Sequence, residues 1–356
     1  MVAGLYFPLN DNFIEEKRMK KLLLSVLLVG MAAFTFAQTL KIASIAPARS
    51  AWEIEAKRLA QEWAKLTGGR VSMQFISTSA LGGEDGVIQK LNSVRPGQKA
   101  PIDGGIFTNL GMASMAPDAH ILTLSVPFLF RNQEEVDLVY EHFKPQVSKE
   151  FAKKGQVLIG YFPIGWAYYF TKSPVRTPEE LKKLRLCVSG MGVSALTDAY
   201  KMAGYTTMDV PSSKMLSSMK SPGGVEGFYT IPMYGYAAQY YKAVPYILNV
   251  PFTCIMVAFI VSEKSWNSIP AEDRPKLIAA FEEAQQKLRA ATAKSDDEYL
   301  DLLRKAGATV VDVTPEERDA LESSMRHDSY ALAKTGVMDQ KFYDEVVALL
   351  KKHRGE

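Results

Sequence analysis

The side chains that could do chemistry in this sequence are few and far apart. Its four histidines, His120, His142, His327 and His353, have no metal-ligand spacing to one another or to a cysteine. No Walker loop, no G-x-G-x-x-G turn and no G-x-S-x-G elbow occurs. Gly82-Gly83-Glu84-Asp85-Gly86 has the glycines of a phosphate loop, but it lacks the lysine and its acidic pair would repel a phosphate. It reads as a tight turn. The remaining carboxylates are scattered over amphipathic helices, where a solvated face is the default. Cys187 and Cys254 each sit in an apolar, strand-like run. They read as two buried thiols, with a single bond between them as the alternative. These residues point to a non-enzymatic protein with no catalytic residues, no cofactor and no metal.

The elements that would position any site are legible from periodicity. The chain has 356 residues, 47% hydrophobic and 23% charged, enough for two cores. A net charge of +3, with both signs intermixed, gives no support to nucleic-acid binding. Leu40 to Ile45 reads as a strand, followed by a helix that Ser50 and Glu53 open as a capping box and whose apolar face is Trp52, Ala56, Leu59, Trp63 and Leu66. Val71, Met73 and Phe75 alternate as a second strand, and Pro101 to Phe107 reads as a third. The pattern then recurs: strands at Val157 to Phe162, Leu184 to Val188 and Thr206 to Val210 alternate with helices, one opened by the capping box Thr177-Pro178-Glu179-Glu180. This alternation implies α/β layers with a mainly parallel sheet. Asn249 to Ser262 reads as a central strand buried on both faces. From Pro270 to about Gly307 the helical pattern is unbroken, ~57 Å at ~1.5 Å per residue, so it either kinks or lies across both cores as a spine. A last strand, Thr309 to Val313, leads to the capping box Thr314-Pro315-Glu316-Glu317 and to terminal helices.

Residues 19–37 (MKKLLLSVLLVGMAAFTFA) have the two lysines, apolar run and small-residue end of a secretory signal peptide, with a cut after Ala37. An uncleaved anchor is the alternative. Met19 is the better initiator, residues 1–18 being an upstream extension.

Four segments, taken in order, resemble the periplasmic substrate-binding subunits of TRAP transporters, the DctP-like family. They are Leu40 to Pro47 with the helix ending Lys65-Leu66-Thr67-Gly68-Gly69-Arg70; Ala80-Leu81-Gly82-Gly83-Glu84, similar to an LGGE turn; Ser125 to Arg131, close to LPFLF; and Thr177 to Ser189, similar to T-P-x-D-L-K-G-x-K-x-R-V-P. The resemblance implies a two-lobed periplasmic binding-protein fold of mixed sheets, joined by crossing strands and a long spanning helix. The expected division is 38–162 plus about 249–290 for lobe I, and 163–248 plus about 291–356 for lobe II. It also implies a small organic solute handed to a small and a large integral membrane subunit. A subgroup of the family works with a periplasmic tetratricopeptide-repeat protein, and that partner is left open. The other reading of such a chain is a periplasmic ligand sensor or scaffold that docks on a signalling protein.

The departures from the family bear on the ligand. The clamp arginine of K-x-R-V-P, which the resemblance places against a ligand carboxylate, aligns with Cys187; a second family arginine, in G-x-R, aligns with Ala167 in Gly165-Trp166-Ala167. The D-G-Q-E-N-P segment aligns with Glu226-Gly227-Phe228-Tyr229-Thr230-Ile231. Arg185 either replaces the clamp or is a surface residue beside Lys182 and Lys183. The expected ligand is apolar, or has an apolar body and at most one carboxylate. Its expected lining is Trp166, Ala167, Tyr168, Cys187, Phe228, Tyr229 and Thr230, with Met233, Tyr234 and the turn residue Glu84.

Overall fold

The computed structural model describes residues 38–93, 100–188 and 193–356; the signal segment lies outside them. The strands are β1 (Gln38–Ser44), β2 (Val71–Ser77), β3 (Gly104–Thr108), β4 (Gln156–Thr171), β5 (Leu186–Cys187), β6 (Gly227–Thr230), β7 (Tyr246–Leu248), β8 (Thr253–Ser262) and β9 (Thr309–Val311). They form one continuous path, β2-β1-β3-β8-β4-β6-β5, with β7 and β9 attached beside β4. The expected parallel pairing holds for β1 with β2 and β3, β5 with β6, and β7 with β9. Every pairing of β4, and that of β3 with β8, is antiparallel. The sheet is therefore mixed, as the resemblance implies, rather than mainly parallel as the alternation alone implies, because two long strands run through its middle and belong to both ends.

Those two strands hold the halves together. β4 is 16 residues long and continues well past Phe162, where its alternation had seemed to stop. Nearly all of it is buried, so no polar side of the strand marks its far end. β8 runs against it from Thr253 to Ser262, with irregularities at Leu158/Gly160 and Pro163/Gly165. Two of these breaks are glycines with a purpose. A Cβ on Gly160 would lie 2.4 Å from the Phe281 ring, so glycine lets a helix close on the strand. Gly165 has φ of +132°, a conformation open to glycine alone, and re-aims the strand at the bulge.

The helices follow from their caps and apolar faces. In α1 (Ala51–Leu66), Trp52, Leu59 and Trp63 are buried and Ser50 accepts the Glu53 N–H, but the Glu53 carboxylate turns back to the Arg49 N–H at 2.6 Å. Next come α2 (Gly83–Asn92), α3 (Asn109–Met115) and α4 (Gln133–Lys153). In the second half are α5 (Ser194–Met202) and α6 (Pro232–Ala237). The long spine breaks: α7 (Arg274–Thr292) packs on α1 and β4, and after Ala293 and Lys294 α8 (Ser295–Lys305) packs on α6. α9 (Pro315–Asp328), α10 (Tyr330–Lys334) and α11 (Gln340–Arg354) complete the chain. The Thr177 and Thr314 capping boxes form as their sequences require. The stretch Thr206 to Val210 is not a strand; it makes a single bridge, Thr207 to Leu186. Trp63, fully buried, anchors the first half by donating Nε1–H to the Leu277 carbonyl at 3.1 Å and packing on Phe259 and Trp266.

Candidate functional site

In parallel α/β sheets a site forms where strand ends feed helix beginnings. Here β1 ends at Ser44 and the loop to α1 carries Arg49 and Ser50; β2 ends at Ser77 and the turn to α2 carries Gly83 and Glu84. These face Ser212, Met233, Tyr234, Tyr236 and Tyr299 of the second half across a cleft of about 840 Å³. The two walls come close, since a Cβ on Gly83 would sit 3.9 Å from the Ser212 hydroxyl. The lining from the first half mixes the hydroxyls of Ser44, Ser50, Ser77, Thr78 and Ser79 with the apolar Ile45, Ala46, Pro47, Ala48 and Leu110.

Two charged groups dominate the cleft. The Glu84 carboxylate accepts the Thr108 N–H at 2.6 Å and the Thr108 hydroxyl at 2.8 Å, which holds it at the end of β3. Burial pushes its pKa up to about 7 in spite of those bonds. Tyr234, 39% exposed on α6, lies near enough for the Glu84 charge to raise its phenol further, after burial has done so. Arg49 is the opposite case. Its guanidinium forms no ion pair or hydrogen bond with the described residues, although its charge acts on Glu53. It has φ of +64°, outside the usual range for a side-chain-bearing residue, and stands one residue before the N-cap of the 16-residue α1. A free guanidinium and a helix N-terminus at one mouth can hold an anionic group.

A smaller, more enclosed chamber of about 70 Å³ adjoins the cleft, and Leu110 lines both. Its walls include Leu122, Leu196, Tyr200, Tyr229, Phe252, Ile255, Leu332 and Val337, with Asn109, Ser125 and Thr253 as polar members. A third pocket of about 350 Å³ lies under Trp166, Tyr168, Phe128, Phe130 and Pro251, rimmed by Arg131, Arg318, Glu322 and Arg326.

The residues singled out from sequence are thus shared among several places. Glu84, Met233 and Tyr234 line the cleft. Tyr229 lines the inner chamber, its hydroxyl bonded to the Val188 carbonyl at 3.0 Å. Trp166 and Tyr168 line the third pocket instead. Ala167 is fully buried and packs on the face of β4 opposite Tyr168. Cys187 and Phe228 are buried together beneath Val210 and Tyr240, on the Tyr168 face; Thr230 pairs with Tyr168 and is half-buried. Alternation therefore puts Tyr168, rather than Ala167, on the same face as Cys187. Arg185 is spent on Glu226, at 2.8 Å, and on the Gly224 carbonyl. Cys187 and Cys254 are both buried and unbonded to each other. Carbon makes up the larger part of the cleft wall, and the serines, Glu84 and Arg49 add polar groups around its mouth. Arg49 and the serines were missed because they lie in strand-to-helix loops, which periodicity does not score; the place of each loop after a strand was the available signal.

With this geometry in hand, likeness to known proteins is informative. Residues 42–334 match the model of the bacterial extracellular solute-binding protein family 7, DctP. A solute-binding protein of Roseobacter denitrificans is 24% identical over 288 residues, covering 80% of this chain and 85% of its own length. The sugar-acid-binding protein of Advenella mimigardefordensis, solved with galactonate, superposes with a TM-score of 0.78 at 17% identity, over 89% of this chain and 98% of that one. A TRAP periplasmic solute-binding protein of Sulfurospirillum deleyianum, solved with succinate, gives 0.76 at 19% identity, over 87% and 98%. The chain belongs to the DctP family of TRAP periplasmic solute-binding proteins, family 7 of the bacterial extracellular solute-binding proteins. It is a member of a transport family, not of an enzyme family.

Proposed function

We propose that this chain is exported by residues 19–37 and serves a TRAP transporter by closing over a small organic acid, which it delivers to the small and large membrane subunits. The lobes are taken as 38–162 with about 249–290, and 163–248 with about 291–356, hinged at β4 and β8. Contacts from both halves favour the closed form through the ligand's greater affinity for it. The observation that carries the reading is the Arg49 guanidinium, without a partner among the described residues, at the mouth of a cleft built from both halves of the sheet. It supplies one strong anchor for one acidic group. The apolar ligand foreseen without any charge has no use for that anchor, whereas an apolar body bearing a single carboxylate uses both the guanidinium and the flanking Met233, Tyr234 and Leu110.

Titration calorimetry with short monocarboxylates and with succinate tests this. A monocarboxylate is expected to bind more tightly than succinate, and Arg49→Gln to weaken it by roughly ten- to a hundredfold, the worth of a charge-assisted hydrogen bond. Tight succinate binding that survives Arg49→Gln would contradict the proposal.

A further inference from the structure

We infer that the chamber behind Leu110 is a second subsite of the same cleft, which receives the far end of the solute and reads one oxygen on it through Thr253. The inference rests on the small-acid reading above and narrows it. Thr253 is 4% exposed at the start of β8, and its hydroxyl has no hydrogen-bond partner among the described residues. Valine would fill the same space without burying a polar atom, and an oxygen in the chamber bonded to this hydroxyl would offset the cost of burying it. The neighbouring amide does not. Asn109 donates to the Ser125 hydroxyl at 2.7 Å and to the Tyr140 hydroxyl at 3.0 Å, and its carbonyl accepts from Tyr140.

The walls set the rest of the specificity. Leu122, Phe252, Ile255 and Val337 present carbon, so a second charge would be buried there without a partner. The chamber, at about 70 Å³, exceeds the ~10–15 Å³ that one water needs by the same measure. Leu110 lines both cavities, so the chamber and the cleft that holds Arg49 share a wall there. A threonine hydroxyl donates or accepts, so the matching group is a carbonyl or a hydroxyl. The solute class is a short monocarboxylic acid with an apolar body and one oxo or hydroxyl oxygen remote from its carboxylate.

Calorimetry on the full chain with hexanoate and 5-oxohexanoate tests this. Wild type is expected to bind the oxo acid about tenfold more tightly. Thr253→Val should bring that ratio to about one without lowering the melting temperature, Thr253→Ser should keep it, and Arg49→Gln should weaken both acids while leaving it intact. Equal binding of the two acids by wild type, or a ratio unchanged in Thr253→Val, overturns the subsite while leaving the small-acid reading standing. If Thr253→Val loses both acids equally, the residue only packs and the subsite is likewise overturned. Binding of neither acid by wild type contradicts the small-acid reading itself and the subsite with it.

Discussion

Glu84 is held by two Thr108 hydrogen bonds that favour its ionised form, yet burial prevails and its pKa rises to about 7. Near neutral pH it is therefore about half protonated, and a protonated carboxyl tolerates an anion beside it while a carboxylate repels it. The affinity for a monocarboxylate is expected to fall as pH rises through 7, and Glu84→Gln to flatten that dependence; calorimetry at several pH values between 6 and 8 measures both. Cys187 shows the other side of the same physics. Cys187 is 3% exposed and packs with Phe170, Val210, Phe228 and Tyr240, so the position that the resemblance aligns with a clamp arginine lies in the core. Cys187→Arg would bury a guanidinium there and is expected to cost about 3 kcal/mol or more of stability, read by urea denaturation. Glu84 was legible through its LGGE-like turn. Arg49 was not, because a lone arginine before a capping serine carries no periodic signal and its lack of a partner appears only in three dimensions.

In the proposed closure the crossing strands β4 and β8 are the hinge, and the broken spine packs against β4. The helical pattern from Pro270 onward has no glycine before Gly307, so nothing in its residues marked the break after Thr292. The break is tertiary in origin. Asp296, in the first turn of α8, reaches β4 and accepts the Trp166 N–H at 2.7 Å, beside the bulge at Gly165. A Cβ at Gly165 would lie 2.6 Å from the Asp296 carboxylate, in a backbone conformation that side chains rarely adopt. Gly165→Ala is expected to destabilise by roughly 1–3 kcal/mol, with the loss seen in thermal unfolding. By contrast, the Thr177 and Thr314 capping boxes were readable because the hydrogen bonds that define them span only three residues. β4 was cut short for the opposite reason. Its 16 residues are buried on both sides, and a strand without a polar face has no period to follow.

For the molecule as a whole, the α/β character and the central β8 were visible in the pattern of runs and turns, whereas the sheet-crossing arrangement came from the family resemblance. The mixed pairing likewise came from the resemblance and not from the residues, since β4 and β8 come from distant parts of the chain and no local signal gives their direction. Among the described residues, burial raises the carboxyl pKa values of Glu84, Asp85, Asp137 and Asp296, and brings Glu84 and Asp296 up to about 7. Because Glu84 and Asp296 hold their protons more tightly folded than unfolded, the folded state binds more protons between about pH 4 and 7. Their contribution to stability is therefore expected to decline as pH rises across that window and to level off above it. A melting series over pH checks the sign, and Asp296→Asn should reduce the slope.

The central claim is that the two halves of this chain enclose one small acid. Native mass spectrometry of the protein purified from its own host, followed by denaturation and analysis of what is released, tests it most directly. The expected result is a single low-mass monocarboxylic acid per chain, absent from the Arg49→Gln protein. A released dicarboxylate or sugar acid, retained equally by Arg49→Gln, would contradict the claim.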